Sequence, residues 1–423
     1  MKNHLKEIRL KFDVLSISIL LICLIPLGFS LGPLIPEILF LLIFILNFKS
    51  IYLEKKKYFF NFFVYWLFGF YVYLLLNSLF LNLNYFNNFQ EYLGDQKSII
   101  FFFRYILYFV GVWYLFDKIE DLKRLLLISL SLTILIIAVD AFYQYFTDIN
   151  FLGYKKIVSH RLSGIFKDEL ILGSYLFRIY FIFLSLFIFL NDLSQTKNLY
   201  IFLIVGTLFG TLIFLSGERS AFLLFIFSNL ILFIFLKCLK LKSLLKFFTL
   251  LMSFIIIFSL TDTNIQQRMI FTTVEDVYDE KKNKVFFFTK VHHGHYMSAK
   301  LMLRENPFLG VGTKRFKTEC KKTKYYHYTN RCANHPHNYY VQLFSETGIF
   351  GGSFLIFIYL VLIKLLIFSF YKGKNYDYSS VLLIGLLAMF WPIAPHGNFF
   401  NNWLIMNSII CLSLYFHFSY KKL

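Results

Sequence analysis

The chain has 423 residues, of which 58% are hydrophobic, 21% aromatic and only 16% charged. That composition excludes a soluble globule, and apolar runs long enough to span a bilayer recur along the chain. Much of the formal net charge of +19 lies in short segments between those runs, where lysine and arginine set membrane topology. With no basic and aromatic groove in view, the charge does not signal a nucleic-acid partner.

At the start, Lys2, Lys6, Arg9 and Lys11 precede an apolar run from Val14 to about Ser30. No small-residue cleavage site follows, so the run reads as an uncleaved first helix and not a secretory signal. The hydrophobic pattern predicts twelve spans, at about 13–30, 34–50, 59–82, 99–116, 124–145, 169–191, 198–215, 220–238, 244–261, 340–370, 378–395 and 401–419. The expected fold is an all-α polytopic membrane protein: helices 1–9 over 1–261, a large loop over 262–339, and helices 10–12 over 340–423.

The gaps after the second, fourth, eighth and tenth spans carry basic residues: Lys55, Lys56 and Lys57, then Lys118, Lys123 and Arg124, then Lys237, Lys240 and Lys242, then Lys372 and Lys374. Both ends are basic as well. By the positive-inside rule both termini are cytoplasmic, and 83–98, 146–168, 216–219, 262–339 and 396–400 lie on the periplasmic side. The loop 262–339 is itself basic, but it is too long for its charge to decide orientation, and its length marks it as functional or independently structured. Residues 295–304 within it have a helical pattern. There is no CxxC pair; Cys23, Cys238 and Cys411 fall in apolar runs, whereas Cys320 and Cys332 share the outer loop and can bond if it is extracytoplasmic.

Charged residues inside spans are expensive and face a cavity or a partner. Glu37, Arg104, Asp140 and Arg178 all fall in the outer half of their spans, and Arg161 and Arg219 sit in outer turns above them. Guanidinium groups suit phosphate oxygens, since they offer a rigid fork of donors and stay charged. Several of them converging at the outer leaflet predict a ligand with an anionic head and an apolar body, which a polyprenyl pyrophosphate fits. The alternative for Arg104 and Arg178 is a helix-stitching pair with Asp140, or snorkelling to the interface.

His335-Pro336-His337-Asn338 opens the tenth span, with Gln342 and Glu346 following at intervals of four. On a helix, Asn338, Gln342 and Glu346 form one polar stripe running down from His337. His337, with a near-neutral reference pKa, is the candidate proton acceptor. His335 is expected to support it, held in a defined relation across Pro336, and His396 lies on the same side. His292, His293 and His295 invite a metal, but no carboxylate or cysteine stands at ligand spacing, so none is expected. Gly310 and Gly312 read as turn formers, since no strand precedes them.

Four stretches carry a resemblance to the O-antigen ligase and O-antigen polymerase superfamily. They are Arg161-Leu162-Ser163-Gly164-Ile165-Phe166, Ser216-Gly217-Glu218-Arg219-Ser220, Asn306-Pro307-Phe308-Leu309-Gly310-Val311-Gly312, and His337-Asn338 with Glu346 and Gly348. One departure stands out: where the family often carries a further arginine before an aromatic, this chain has His292-His293-Gly294-His295-Tyr296, so the third cationic contact would fall to a protonated histidine there or to Arg268, Arg304, Arg315 or Arg331. The resemblance implies an inner-membrane glycosyltransferase working on the periplasmic face without cofactor or metal. A glycan would pass from undecaprenyl pyrophosphate to an acceptor hydroxyl, in a ligase that of a lipid A core sugar. On that reading His337 is catalytic, Arg161 and Arg219 bind pyrophosphate, and Asn338, Glu346, His335, Arg104 and Arg178 support them. A polymerase and a protein O-oligosaccharyltransferase of the same superfamily remain open, and a lipid-linked glycan transporter is the rival from another class.

Overall fold

The computed structural model describes residues 14–82, 99–193, 195–236, 239–279, 284–285, 288–325, 332–372 and 377–420. Segment 83–98, the basic residues up to Lys11, Lys237, Cys238, Arg331, Lys374 and the last lysines lie outside it. The chain is an all-α polytopic membrane protein. Its main helices are α1 (Val14–Leu31), α2 (Leu34–Leu53), α3 (Phe62–Asn82), α4 (Arg104–Lys118), α5 (Leu122–Thr147), α6 (Leu172–Leu190), α7 (Thr196–Leu215), α8 (Arg219–Phe235), α9 (Leu241–Thr261), α10 (Lys290–Glu305), α11 (Tyr339–Lys372), α12 (Asp377–Met389) and α13 (Asn402–Tyr420). Every expected span coincides with one of them, and α10 is the helix of the outer loop. Among the described residues, eight helices are long and apolar enough to cross a bilayer, and α8 and α12 are shorter apolar helices.

Runs of Leu, Ile and Phe fold this way because a chain in lipid must satisfy its backbone donors and acceptors internally. The buried centre is α6, buried almost continuously from Leu172 to Phe187, with α5, α7, α12 and α13 packed around it. Helices α2, α5 and α9 turn Ile45, Leu135 and Ile257 outward. At the opposite end of the bundle from the outer loop, Asp117 accepts from Lys57 Nζ at 2.6 Å and Tyr58 Oη at 3.0 Å, with His417 Nδ1 at 2.7 Å, so one buried carboxylate ties α4 and α13 to the turn before α3.

Two spans differ from expectation, each for a physical reason. The eleventh, expected to reach 395, ends at Met389, because Pro392 and Pro395 cannot continue a helix and the carbonyls of Pro392 and Ala394 are taken by the Asn338 side chain at 2.7 and 3.2 Å. The tenth is broken at Gly348, whose backbone is at φ 68°.

That break is where the outer loop docks. Val311 N donates to Ser345 O and Gly312 N to Glu346 O, both at 2.9 Å, and Ile349 N donates to Pro307 O at 2.8 Å. The Pro-x-x-Gly-x-Gly segment therefore pairs with the broken helix backbone to backbone. Gly310, at φ 69°, abuts the Glu346 carbonyl, and Gly348 abuts Phe308 O, so a side chain at either position would collide. The loop has its own small core of Met302, Phe316, Cys320 and Tyr325, and Cys320 is disulfide-bonded to Cys332.

Replacing Gly348 by Ala imposes both a left-handed φ and a clash, at a cost of roughly 1–3 kcal/mol or more. The purified variant should melt several degrees lower in detergent than the parent, and an unchanged melting temperature would mean that the break is not needed.

Candidate functional site

His337 is placed by a sequence of local constraints. Pro336 precedes it, and Asn338 follows as the cap of α11: Asn338 Oδ1 accepts from Tyr340 N at 3.0 Å and Val341 N at 3.1 Å, satisfying two of the donors a helix start leaves open. Between the two, His337 adopts φ 60°, a conformation uncommon for a residue with a side chain. Its carbonyl accepts from His396 N at 2.8 Å, which pins the α12–α13 loop alongside.

Below the cap, the expected polar stripe is buried and fully engaged. Gln342 Nε2 donates to Glu346 Oε2 at 3.1 Å and to Asn398 Oδ1 at 3.0 Å, and Gln342 Oε1 accepts from Phe399 N at 2.9 Å. Glu346 Oε1 accepts from Phe316 N at 3.1 Å. Asn338 and Glu346 therefore hold loops and face no solvent; each side chain is under 3% exposed.

Around His337 stands a group of imidazoles. The His335 ring centre lies 4.3 Å away, His292 5.4 Å and His295 5.7 Å. His396 stacks on Tyr339 at 4.4 Å. Burial, then the neighbouring imidazoles, push His337 down to about 3. Burial likewise brings His335 down to about 4 and His396 to about 3. These rings are uncharged at neutral pH. Among the described residues no three His, Cys, Asp or Glu side chains are placed as ligands of one ion.

Opposite the imidazoles are the guanidinium groups. His337, His335, His292 and His396 line one cavity of about 900 Å³ together with Arg161, Arg178, Arg219 and Arg268. Arg161 is carried on the loop between α5 and α6 and donates to Leu170 O at 2.9 Å. Arg219 is the first residue of α8 and pairs with Asp276 Oδ2 at 2.9 Å. Arg268 lies in a single π-helical turn, Gln267–Phe271, an irregularity often found at functional sites. Burial and the charge of Arg219 lower Arg161, with Glu218 opposing; burial, Arg219 and Arg161 lower Arg268. Three guanidiniums thus repel one another across one space.

Of the expected supporting residues, Arg178 lines the cavity, donating to Ser174 O at 2.9 Å with its guanidinium 5.6 Å above the Trp403 ring. Arg104 does not: it is ion-paired with Glu37 and donates to Phe101 O and Tyr105 Oη. Neither meets Asp140, which instead accepts from Phe151 N at 2.9 Å. Arg219, read from the sequence as a residue of an outer turn, has Asp276 as an ion-pair partner. Glu218, read only as part of a motif, is partly buried and accepts from Gly173 N at 2.8 Å and Ser174 N at 3.1 Å at the start of α6. Arg268 was one of four candidates for the third cation, and an isolated arginine in a long loop gives no signal to select it. His292, in the stretch His292-His293-Gly294-His295-Tyr296, lines the cavity.

Residues 199–357 match the family model described as O-antigen ligase. The chain carries an O-antigen ligase family domain. It runs from α7 to the middle of α11 and so contains Arg219, Arg268, the outer loop, His337 and Glu346. The remaining cavity residues, Arg161, Arg178 and His396, come from helices and loops on either side of the match. No curated protein matches the chain.

A histidine whose pKa falls on folding binds fewer protons folded than unfolded, so its contribution to stability is whole above the ordinary value of 6.5 and is lost as pH falls towards 3 or 4. The melting temperature in detergent should therefore fall between pH 7 and pH 5, and by less in a His335→Gln/His337→Gln double variant. Identical pH profiles for the two proteins would refute neutral burial of these rings.

Proposed function

We propose that this protein is an O-antigen ligase-type glycosyltransferase of the bacterial inner membrane, with both termini cytoplasmic and the cavity open to the periplasm. It moves a glycan from undecaprenyl pyrophosphate to an acceptor hydroxyl, that of a lipid A core sugar. The observation that carries this reading is the shared cavity: an uncharged imidazole at 337 and guanidiniums at 161, 219 and 268 face one space. The Cys320–Cys332 bond supports the periplasmic placement, since such bonds persist in oxidising compartments.

In this scheme the arginines bind the pyrophosphate and stabilise the charge that develops on it as it leaves. His337 offers a lone pair at neutral pH, and a pyrophosphate bound beside it raises its proton affinity by bringing negative charge close. The acceptor oxygen attacks the anomeric carbon as its proton passes to His337. The bond from that carbon to the pyrophosphate oxygen breaks, and the lipid pyrophosphate departs from the opposite face. A single displacement of this kind inverts the anomeric centre. No step requires a metal, because the positive charge is supplied by side chains that cannot lose it.

Replacing His337 by Ala should abolish glycan transfer by the purified protein while leaving it in the membrane, and near-normal turnover would remove it from the mechanism. Arg219→Lys keeps a charge but loses the fork, so the rate should drop about tenfold or more; an unchanged rate would count against bidentate binding. Activity should survive EDTA. In cells, loss of the protein should leave polymeric glycan on its lipid carrier and none on lipid A, whereas single-repeat glycan on lipid A would identify a polymerase instead.

A further inference from the structure

A second cavity, of about 150 Å³, lies inside the bundle between α3, α4, α11, α12 and α13. Its walls are almost wholly apolar, with Phe70, Phe102, Phe109, Phe354, Leu386 and Leu412 among them. The hydroxyls that reach it are already engaged: Tyr105 donates to Asn402 Oδ1 at 2.9 Å and Ser408 to Leu404 O at 3.3 Å. Water has too few partners in such a space, and apolar cavities of this size stay dry and take up benzene-sized molecules. Left empty, the space is destabilising, because its lining forfeits contacts on one side.

Its boundary is shared with the polar cavity. Arg178, Met389 and Leu404 line both this cavity and the large polar one. Tyr339, in its wall, stacks at 4.4 Å on His396, which lines the polar cavity. A guanidinium thus stands where an apolar space meets a cationic one, the arrangement that matches an amphiphile with an anionic head and a hydrocarbon body.

We propose that the inner cavity holds the first isoprenoid units of the donor lipid, next to its pyrophosphate in the polar cavity. The proposal rests on the function proposed above and adds to it the place of the chain. The aromatic walls suit flat, methyl-branched units, and a cavity of this size accommodates one or two of them before the chain must leave towards lipid. Selection then acts on the head-proximal units and not on overall hydrophobicity.

The test is equilibrium binding of inorganic pyrophosphate and of dimethylallyl, geranyl and farnesyl pyrophosphates to the full-length protein in detergent. Affinity should rise about tenfold or more from inorganic to geranyl pyrophosphate, with little further gain for farnesyl. Ile358→Phe and Leu412→Phe, which fill the cavity, should erase that gain while leaving inorganic pyrophosphate binding intact, and this retained binding shows that the variants are folded. Ser408→Val, a smaller change, should give an intermediate effect if either larger residue disrupts folding. A gain that persists in the filled variants, or that grows steadily through farnesyl, would place the chain on the outer lipid face and overturn the proposal while leaving the transferase reading intact. Failure of the parent protein to bind any of these pyrophosphates would overturn both.

Discussion

The structure depends on the need to satisfy Asn338, Gln342 and Glu346, three polar side chains buried on one face of α11. Buried without partners, each would cost roughly 1–3 kcal/mol or more. Their partners are loops: Asn338 binds the carbonyls of 392 and 394, Gln342 binds Asn398 and the amide of Phe399, and Glu346 binds the amide of Phe316. The stripe thus fixes the outer loop on one side of His337 and the α12–α13 loop on the other. The polar stripe read from the sequence is thus the fastening that holds the two loops beside His337.

The same device recurs on α5, where it places the first arginine. Gln144 Oε1 accepts from Ser163 N at 3.1 Å and Gly164 N at 2.8 Å, Asn150 Nδ2 donates to Gly164 O at 2.8 Å, and Asp140 accepts from Phe151 N. A loop between two spans has little apolar surface to bury, so its conformation must be written in hydrogen bonds to the helix ends. In both places the acidic or amide residue inside the span serves the loop, and the loop presents the functional group.

This division explains what could be read in advance. Helix positions followed from hydropathy alone, because in lipid an apolar run of the right length has few alternatives. His337, Arg161 and Arg219 were singled out because their residue types and turns imply chemistry, and all three line the one cavity. Arg104 also looked functional, since a charge in a span looks the same whether it meets a ligand or a carboxylate, and only the packing of α2 against α4 brings Glu37 to it. The reverse held for Arg268 and Asp276: both sit in a polar loop where charge is unremarkable, and only the fold brings them to Arg219. Residues 392–401 were expected partly as helix, yet they form the loop that carries His396, because prolines set the break and Asn338 holds it open.

The charge balance of the cavity explains why arginine and not lysine occupies it. Three crowded, partly buried cations would favour losing a proton if they could, and lysine side chains in such surroundings shift readily towards neutrality. Arginine keeps its charge, so the repulsion among Arg161, Arg219 and Arg268 persists, offset in part by Glu218 near Arg161 and by Asp276 near Arg219 and Arg268. Neither carboxylate is centred among the three: Glu218 is also bound to the amides of Gly173 and Ser174 at the start of α6, and Asp276 reaches Arg219 from a half-exposed position. An anion with several oxygens offers more than one acceptor to the guanidiniums that line this cavity. In the transfer proposed above, a pyrophosphate that gains negative charge as its bond to the sugar breaks would be held most tightly at that moment, which is how such a cluster of cations would lower the barrier.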